Sequence, residues 1–307
     1  MLTLPIPVLL ALTLAAAVTF YISNSLFAKK ISKTDSDYYI YLMIEGIVCA
    51  VVAVASSGGI GKISLYSILF GVLFGITVIA QLLLNLKALA IGPFSYTSVL
   101  ISLSTVIPTL SGLFWNEKIS GMQVIGIVLM VACILLSVDR QQTDDAKKVT
   151  KKWLVCCLTS AVLNGAVGVM QKIHQSSPHK EESPVFLCST MITLSLVALV
   201  MLIINRQKHK GTDKAAISFK FKKISHVAIP ICSGISLGLC HVINLFLSGK
   251  LDAAVLFPVV NICPLVLTTV AATILFKERL SKLRWVGLAI GILSTLFVSG
   301  VVSSLIG

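Results

Sequence analysis

The sequence predicts an all-α integral membrane protein with ten transmembrane helices, arranged as two inverted five-helix repeats. Three observations predict this fold class. The 307 residues are 56% hydrophobic and only 12% charged, and their mean hydropathy is +0.97, which excludes an ordinary soluble domain. Apolar runs of membrane-spanning length recur along the whole chain. A short motif around a glutamate occurs once in each half.

Each apolar run can cross a bilayer once, because about 20 apolar residues span the hydrocarbon core. Lipid cannot pair with open backbone groups, so runs without an alternating period must be helices. Glu45 is the one charged residue inside the second of them. The predicted helices lie near 5–28, 38–57, 64–89, 94–115, 119–139, 152–174, 184–205, 226–250, 253–276 and 283–304.

The first apolar run resembles a signal peptide in one respect, since residues 15–17 are three alanines of the kind found at a cleavage site. However, no Lys or Arg precedes the run, and it is longer than the apolar core of a usual signal peptide. We therefore predict that 5–28 is the first spanning helix, which also gives each half five helices.

The net charge of +13 is explained by membrane orientation, and no nucleic-acid partner is predicted. Counted over the predicted connections, 20 of the 25 Lys and Arg lie on one side of the membrane and five on the other. The positive-inside rule places the basic side in the cytoplasm. The prediction is a multi-pass protein of the cell (inner, cytoplasmic) membrane with both termini outside.

The repeated motif consists of a glutamate, a basic residue, Ile or Leu, and a serine, with a glycine nine positions after the glutamate. Its copies at 117–120 and 278–281 follow predicted helices 4 and 9. Because five helices per half is an odd number, the two halves must lie in opposite orientations, as in an inverted repeat. The predicted organisation is a first repeat at 1–139, a cytoplasmic linker at 140–151 and a second repeat at 152–307.

With these motifs the chain resembles the drug/metabolite transporter superfamily, and specifically its EamA-type members. The segment Ala88-Leu89-Ala90-Ile91-Gly92-Pro93-Phe94-Ser95-Tyr96 also resembles the junction of the third and fourth helices in that family. The resemblance implies a central cavity lined by helices 1–4 and 6–9, with helices 5 and 10 at the periphery. It further implies alternating access and export of amino acids, other metabolites or drugs.

Polar residues fall on helical stripes inside the predicted spans, and such residues usually face a cavity or a neighbouring helix. The stripes occur on helices 1, 3, 4, 6, 8 and 9, whereas helices 5 and 10 have almost none. Interhelical hydrogen bonding is the alternative explanation for any single residue. The candidates for substrate binding or coupling are Glu45, Tyr21, Asn24, Gln81, Asn85, Ser98, Ser102, Asn164, His241, Asn244 and Asn261.

Glu45 is the sharpest candidate, because a carboxylate deep in the membrane costs on the order of 2–3 kcal/mol on insertion scales. A protonatable acid at this depth could couple transport to a proton or hold a cationic group of the substrate. The alternative is a structural acid, paired with a polar neighbour on helix 1 or 3.

The motif residues have a structural interpretation that does not depend on the family. Ser120 can cap helix 5 together with Gln123, in the spacing of a capping box, and Ser281 can cap helix 10. The glutamates are expected to clamp helix ends rather than to contact substrate. The structural motif residues are therefore Glu117, Ser120, Glu278 and Ser281.

The leading functional prediction is a secondary active transporter that exports a small organic metabolite or drug, with proton coupling or exchange as its energy source. No P-loop motif for ATP is present. The eight cysteines lack the spacing of a metal site, so no cofactor is predicted. A structural or sensory membrane protein is the alternative, and a membrane-embedded enzyme fits less well. The expected partners are a small-molecule solute and the lipid bilayer, with a homodimer left open.

Overall fold

The computed structural model is helical throughout the residues that it describes. Ten α-helices begin and end within these residues, and no strand occurs among them. The described residues are 4–57, 59, 61–92, 97, 100–101, 103–117, 120–137, 150–210, 217, 219, 223–275 and 282–298.

The helices follow the predicted order. They are α1 Ile6–Leu26, α2 Asp35–Ser57, α3 Leu65–Ile91, α4 Val106–Ser111, α5 Gly121–Ser137, α6 Lys151–Ser176, α7 Ser183–Lys208, α8 Ile224–Ser248, α9 Ala253–Leu275 and α10 Lys282–Val298. A π-helical turn, Phe27–Ile31, continues α1, and a 3₁₀ turn, Lys180–Glu182, precedes α7.

Six helices are long and apolar enough to cross a membrane, namely α1 with its π-helical turn, α2, α3, α6, α7 with its 3₁₀ turn, and α8. Large apolar side chains such as Val51, Leu69 and Val155 are exposed on the outside of the bundle. An exposed apolar surface of this extent is typical of a face that meets lipid. The chain is thus a multi-pass helical membrane protein.

The fourth predicted span, 94–115, differs from a regular helix. Its residues 94–96, 98–99 and 102 lie outside the described part. Residues 97 and 100–101 are helical, and they are followed by a 3₁₀ turn, Leu103–Thr105, then the six-residue α4, then a second 3₁₀ turn, Gly112–Trp115. Pro108 within α4 has no N–H to donate, and such a residue interrupts the helical hydrogen bonds. Asn116 then ends the segment in a left-handed conformation, with φ of 56°, which turns the chain toward Glu117.

Several other predicted boundaries fall at the limits of the description. Of the predicted linker 140–151, residues 140–149 lie outside the described residues, as do the ends of predicted helices 5 and 10 beyond Ser137 and Val298. Helix α2 begins at Asp35, three residues before the predicted start. The Asp37 carboxylate explains this earlier start, because it accepts hydrogen bonds from the N–H groups of Lys33 and Thr34, 2.9 and 3.1 Å away.

Most of the larger helix contacts among the described residues are reproduced when the first five helices are exchanged with the last five. Helix α1 packs on α8 as α6 packs on α3, and α3 packs on α7 as α2 packs on α8. The exchange turns α2 into α7 and α5 into α10, so the contacts α2–α7 and α5–α10 stay the same. Two halves related by a two-fold axis would pack in this way.

Helices α5 and α10 form a pair of their own at the edge of the bundle. The Ser294 hydroxyl donates a hydrogen bond to the Gly126 carbonyl oxygen across the pair, at 2.7 Å. Gly126, Gly287 and Gly291 are all buried. Small residues at these positions allow the two helices to pack closely.

Helices α3 and α7 approach closely through glycines of α3. The Thr190 hydroxyl reaches the Gly71 carbonyl oxygen at 3.1 Å. A Cβ placed on Gly75 would lie 2.6 Å from the Thr190 carbonyl oxygen, closer than any real contact of this kind. This contact joins the two halves of the chain with little free space between them.

The substitution Gly75→Val should therefore destabilise the protein by about 1–3 kcal/mol, because α3 must move away from α7. Thermal unfolding in detergent would measure the effect. Gly121→Ala is the matched control, since a Cβ at Gly121 meets nothing within 4 Å and should leave the melting temperature unchanged. Equal melting temperatures for both variants would contradict the close contact.

Candidate functional site

A cavity lies at the centre of the bundle, between helices of both halves. Its volume is about 110 Å³. Residues of α1, α3, α6, α8, α9 and the segment around α4 line it. Six of the predicted site residues are among them: Tyr21, Gln81, Asn164, His241, Asn244 and Asn261.

Hydrogen bonds, two of them between elements and one within α9, hold several of the polar lining groups in place. The Gln171 Nε2 lies 3.0 Å from His241 Nδ1. If the amide N–H donates there, the neutral imidazole carries its hydrogen on Nε2. The Asn164 amide donates to the Ser104 hydroxyl at 2.8 Å, and the Asn261 amide donates to the Phe257 carbonyl oxygen at 2.8 Å.

Asn244 provides a hydrogen-bonding group that the protein leaves open. Its Oδ1 is buried and has no hydrogen-bond partner within the described part of the chain. A buried acceptor without a partner costs about 1–3 kcal/mol, so a donor group of a bound solute would compensate for it.

The remaining walls of the cavity are apolar, and its polar groups are uncharged. Phe20, Val78 and Leu237 contribute apolar surface. No Asp, Glu, Lys or Arg occurs among the described lining residues. The site can therefore bind by hydrogen bonds and apolar contact, with no formal charge in its own lining.

The other predicted candidates lie elsewhere. Asn85 is buried on α3, and its Nδ2 has no partner within the described residues. Thr77, on the same stripe as Gln81, bonds to the Leu73 carbonyl oxygen of its own helix at 3.0 Å. Ser98 and Ser102 lie outside the described residues.

Glu45 and Asn24 belong to a second polar cluster, where α1, α2 and α8 meet. Both side chains are fully buried. The Ser233 hydroxyl of α8 contacts Glu45 Oε1 and lies 3.4 Å from Asn24 Oδ1. The Tyr41 hydroxyl donates to the same Asn24 oxygen at 2.7 Å. Neither Glu45 nor Asn24 is among the described residues that line the cavity.

The charge of Glu45 has no counterion in this cluster. The ion pairs Lys87–Asp35, Lys172–Glu117 and His179–Glu182 all lie away from Glu45. Glu45 Oε2 and Asn24 Nδ2 are buried without hydrogen-bond partners in the described part of the protein. Close helix packing seals the cluster, because a Cβ on Gly234 would lie 2.8 Å from the Glu45 carbonyl oxygen.

Glu117, the glutamate of the first motif, joins three helix ends. Its Oε1 lies 2.6 Å from Lys172 Nζ at the end of α6. Its Oε2 accepts the Ala253 N–H at 2.7 Å, at the first residue of α9. Glu117 itself follows the segment around α4. A helix-end clamp is the role that the sequence predicts for this glutamate, and these contacts have that form.

Ser120 and Gln123 form the capping box that the sequence predicts at the start of α5. The Gln123 N–H donates to the Ser120 hydroxyl at 3.2 Å, and the Ser120 N–H donates to Gln123 Oε1 at 2.8 Å. This prediction is confirmed. Glu278 and Ser281 of the second motif lie outside the described residues.

The sequence does not single out Ser233, Tyr41 or Lys172 as site residues. Ser233 is one serine among many, and no spacing relates it to Glu45. Lys172 sits at a helix end, where a lysine is ordinarily explained by its side chain reaching the headgroups. An unmatched acid in the membrane is the one signal that points toward a partner for Glu45, and it does not say which residue that partner is.

The fold is that of a helical membrane protein with a central cavity, and comparison with known proteins identifies a family. Residues 151–300 match the EamA-like transporter family. This match places the second half of the chain in that family of membrane transporters, which is part of the drug/metabolite transporter superfamily.

One matching solved structure, described only as the crystal structure of a protein, agrees with this fold. It aligns with 94% of this chain and 98% of its own length, with a TM-score of 0.64 and 12% sequence identity. At this identity the likeness shows the fold alone. No curated protein matches the chain.

The Glu45 cluster should respond to removal of its hydroxyl donor. The substitution Ser233→Ala should lower the free energy of unfolding by about 1–3 kcal/mol, because buried acceptors lose their donor. Urea or thermal unfolding in detergent would measure it. Ser236→Ala, which alters another buried serine of α8, is the control and should cost less. A larger loss for the control would show that the cluster does not stabilise the bundle.

Proposed function

We propose that this EamA-family transporter is a secondary active exporter of a small polar organic solute, working by alternating access with proton coupling at Glu45. The observation that carries the proposal is the cavity between the halves, lined by polar side chains from six different segments. Polar groups deep in a membrane are costly, so their convergence on one space favours a solute pathway. A purely structural protein has no need of that convergence.

The exchange symmetry of the helix packing supports the alternating-access part. Inverted repeats in transporters surround a central site, and one side of the site opens as the other closes. We infer two five-helix repeats with boundaries near 1–139 and 152–307. In the cell membrane, the basic connections then face the cytoplasm and both termini face outside.

The lining chemistry favours a solute with no net charge. Amide and imidazole groups can bind hydrogen-bond donors and acceptors, and the open acceptor on Asn244 requires a donor. A phosphorylated or strongly anionic solute would require Arg or Lys in the site, and the described lining has neither. Pockets for drug-sized ligands have about 300–1,000 Å³, so the smaller cavity of about 110 Å³ suits a metabolite better than a drug.

Glu45 is the proton site of this proposal. A carboxylate without a counterion is costly in hydrocarbon, which favours the neutral acid. A protonated Glu45 can donate to Ser233, and the Ser233 hydroxyl can then donate to Asn24 Oδ1. A deprotonated Glu45 instead accepts the hydrogen bond that the Ser233 hydroxyl donates, and Asn24 Oδ1 loses that donor. Loss of the proton thereby changes the hydrogen bonds that join α1, α2 and α8.

The export proposal is tested by metabolite profiling of cells and medium, with the wild-type protein overexpressed against an empty vector. A polar solute enriched in the medium with wild type alone would identify the cargo and the direction. Depletion of that solute from the medium would show that the protein takes the solute up and does not export it.

Substitution of the cavity amides should weaken transport of the identified solute. Gln81→Leu and Asn244→Leu should each raise KM about tenfold, the loss that corresponds to about 1.4 kcal/mol of hydrogen bonding. Uptake into inverted vesicles would measure the kinetics at matched protein level. Thr77→Val, on the same helix as Gln81 but outside the cavity lining, should transport normally. Equal kinetics in all three variants would place the solute path elsewhere.

Substitution of the acid should uncouple transport from the proton gradient. Glu45→Gln preserves the shape of the protonated acid but cannot release a proton. It should exchange solute across the membrane at equilibrium yet fail to accumulate it against a gradient, as measured with vesicles under an imposed pH difference. If the Glu45→Gln variant accumulates the solute at the wild-type rate with unchanged pH dependence, Glu45 has only a structural role.

A further inference from the structure

The ion pair between Glu117 and Lys172 lies directly beyond one end of the cavity. On α6, Gln171 lines the cavity and the next residue is Lys172. On α9, Phe257 lines the cavity, while Ala253, one turn earlier, bonds to Glu117. The segment around α4 contributes Pro108 to the lining before it reaches Glu117.

The pair is largely removed from water, and both of its members make further hydrogen bonds. The side chains of Lys172 and Glu117 are only 10% and 8% exposed. Lys172 Nζ also donates to the Leu251 carbonyl oxygen at 3.2 Å. The Ala253 N–H at the start of α9 favours a negative group, as helix N-termini do. The charges, the α9 terminus and the α6 end thus hold one another in place.

We propose that the Glu117–Lys172 pair is the gate that closes this end of the cavity, and that its separation opens the cavity to this side of the membrane. The inference rests on the alternating-access function proposed above. Widening the cavity here requires the ends of α4, α6 and α9 to separate. Each charge that leaves the pair then enters water, and its hydration offsets the lost contact. Closed and open arrangements can both be stable for this reason.

The opposite end of the bundle has an ion pair of a different kind, which serves as a control. Helices α3 and α6 run antiparallel, since Phe70 lies near His174 and Ala88 packs in one cluster with Trp153. Lys87 on α3 therefore lies far from Lys172. Its pair with Asp35 has a distance of 3.5 Å, with side chains 31% and 50% exposed. An exposed pair of this kind contributes little.

Cys240 reports directly on the gate, because this half-buried cysteine lines the cavity. The experiment uses the full chain with its other seven cysteines replaced by serine or alanine, in membrane vesicles of both orientations. A membrane-impermeant methanethiosulfonate reagent is applied to the external face of each. Gly121→Cys, in a background without Cys240, shows which membrane face carries the α4–α5 connection, since its position is open.

The variants Glu117→Gln and Lys172→Met should each increase the labelling rate of Cys240 at least about tenfold from the Glu117 face alone, because the closed state loses its favoured interaction. Glu117→Gln keeps an acceptor for the Ala253 N–H and so isolates the charge. Lys87→Met should leave the rate from that face unchanged, and Cys240→Ser should abolish labelling. Unchanged rates, or equal increases from both faces, would overturn the gate.

A cross-link provides the opposite manipulation. A Cβ on Gly112 would lie 3.4 Å from the Ala253 Cβ, near the separation of about 3.5–4.5 Å that a disulfide requires. The same Cβ would meet Glu117 Oε2, so the flexible Glu117 side chain must move aside in this variant, and the disulfide replaces the ion pair as the link that keeps this end closed. In the variant with Gly112→Cys and Ala253→Cys, oxidation should reduce Cys240 labelling from the Glu117 face about tenfold, and reduction should restore it. A Cys240 labelling rate that is the same before and after oxidation would contradict the gate. Labelling that responds in a protein that moves no solute would keep the gate and refute the proposed function.

Discussion

Hydrocarbon cannot hydrate a polar group, and this constraint determines where the polar side chains of the bundle lie. Apolar residues such as Val51 and Leu69 cover the outside, so the polar residues must meet one another in the interior. Three of the places where they meet are the central cavity, the Glu45 cluster and the Glu117 pair. Each place joins helices from both halves of the chain. The groups that lipid excludes are therefore also those that hold the two halves together.

The Glu45 cluster and the cavity share two helices. On α1, Asn24 of the cluster lies one turn from Tyr21 of the cavity. On α8, Ser233 of the cluster lies one turn from Leu237, which lines the cavity. A helix moves as a rigid element, so a change of hydrogen bonding at Ser233 is carried to the lining without a chain of intermediate side chains. The separation of the two sites is compatible with coupling between them.

The periodicity of the sequence predicted much of the site. A stripe of polar residues, however, shows only which face of a helix is polar and not which helix packs against that face. Six stripe residues line the cavity, whereas Asn85, on the stripe of Gln81, lies outside it. The clamp at Glu117 was predictable as a helix end, but Lys172 was not, because 54 intervening residues carry no signal of their contact. Composition gave the spans, yet the broken fourth helix depends on Pro108 and on local packing that no apolar run reveals.

The close contact between α3 and α7 has a mechanical consequence. With Gly71 and Gly75 against α7, the halves have little free space along this contact, and a rotation of one half about it is a relative motion that keeps it packed. Helices far from this contact then travel the greatest distance for a given rotation, as the rim of a hinged lid does. A small change of crossing angle at these two glycines would therefore be amplified across the width of the bundle.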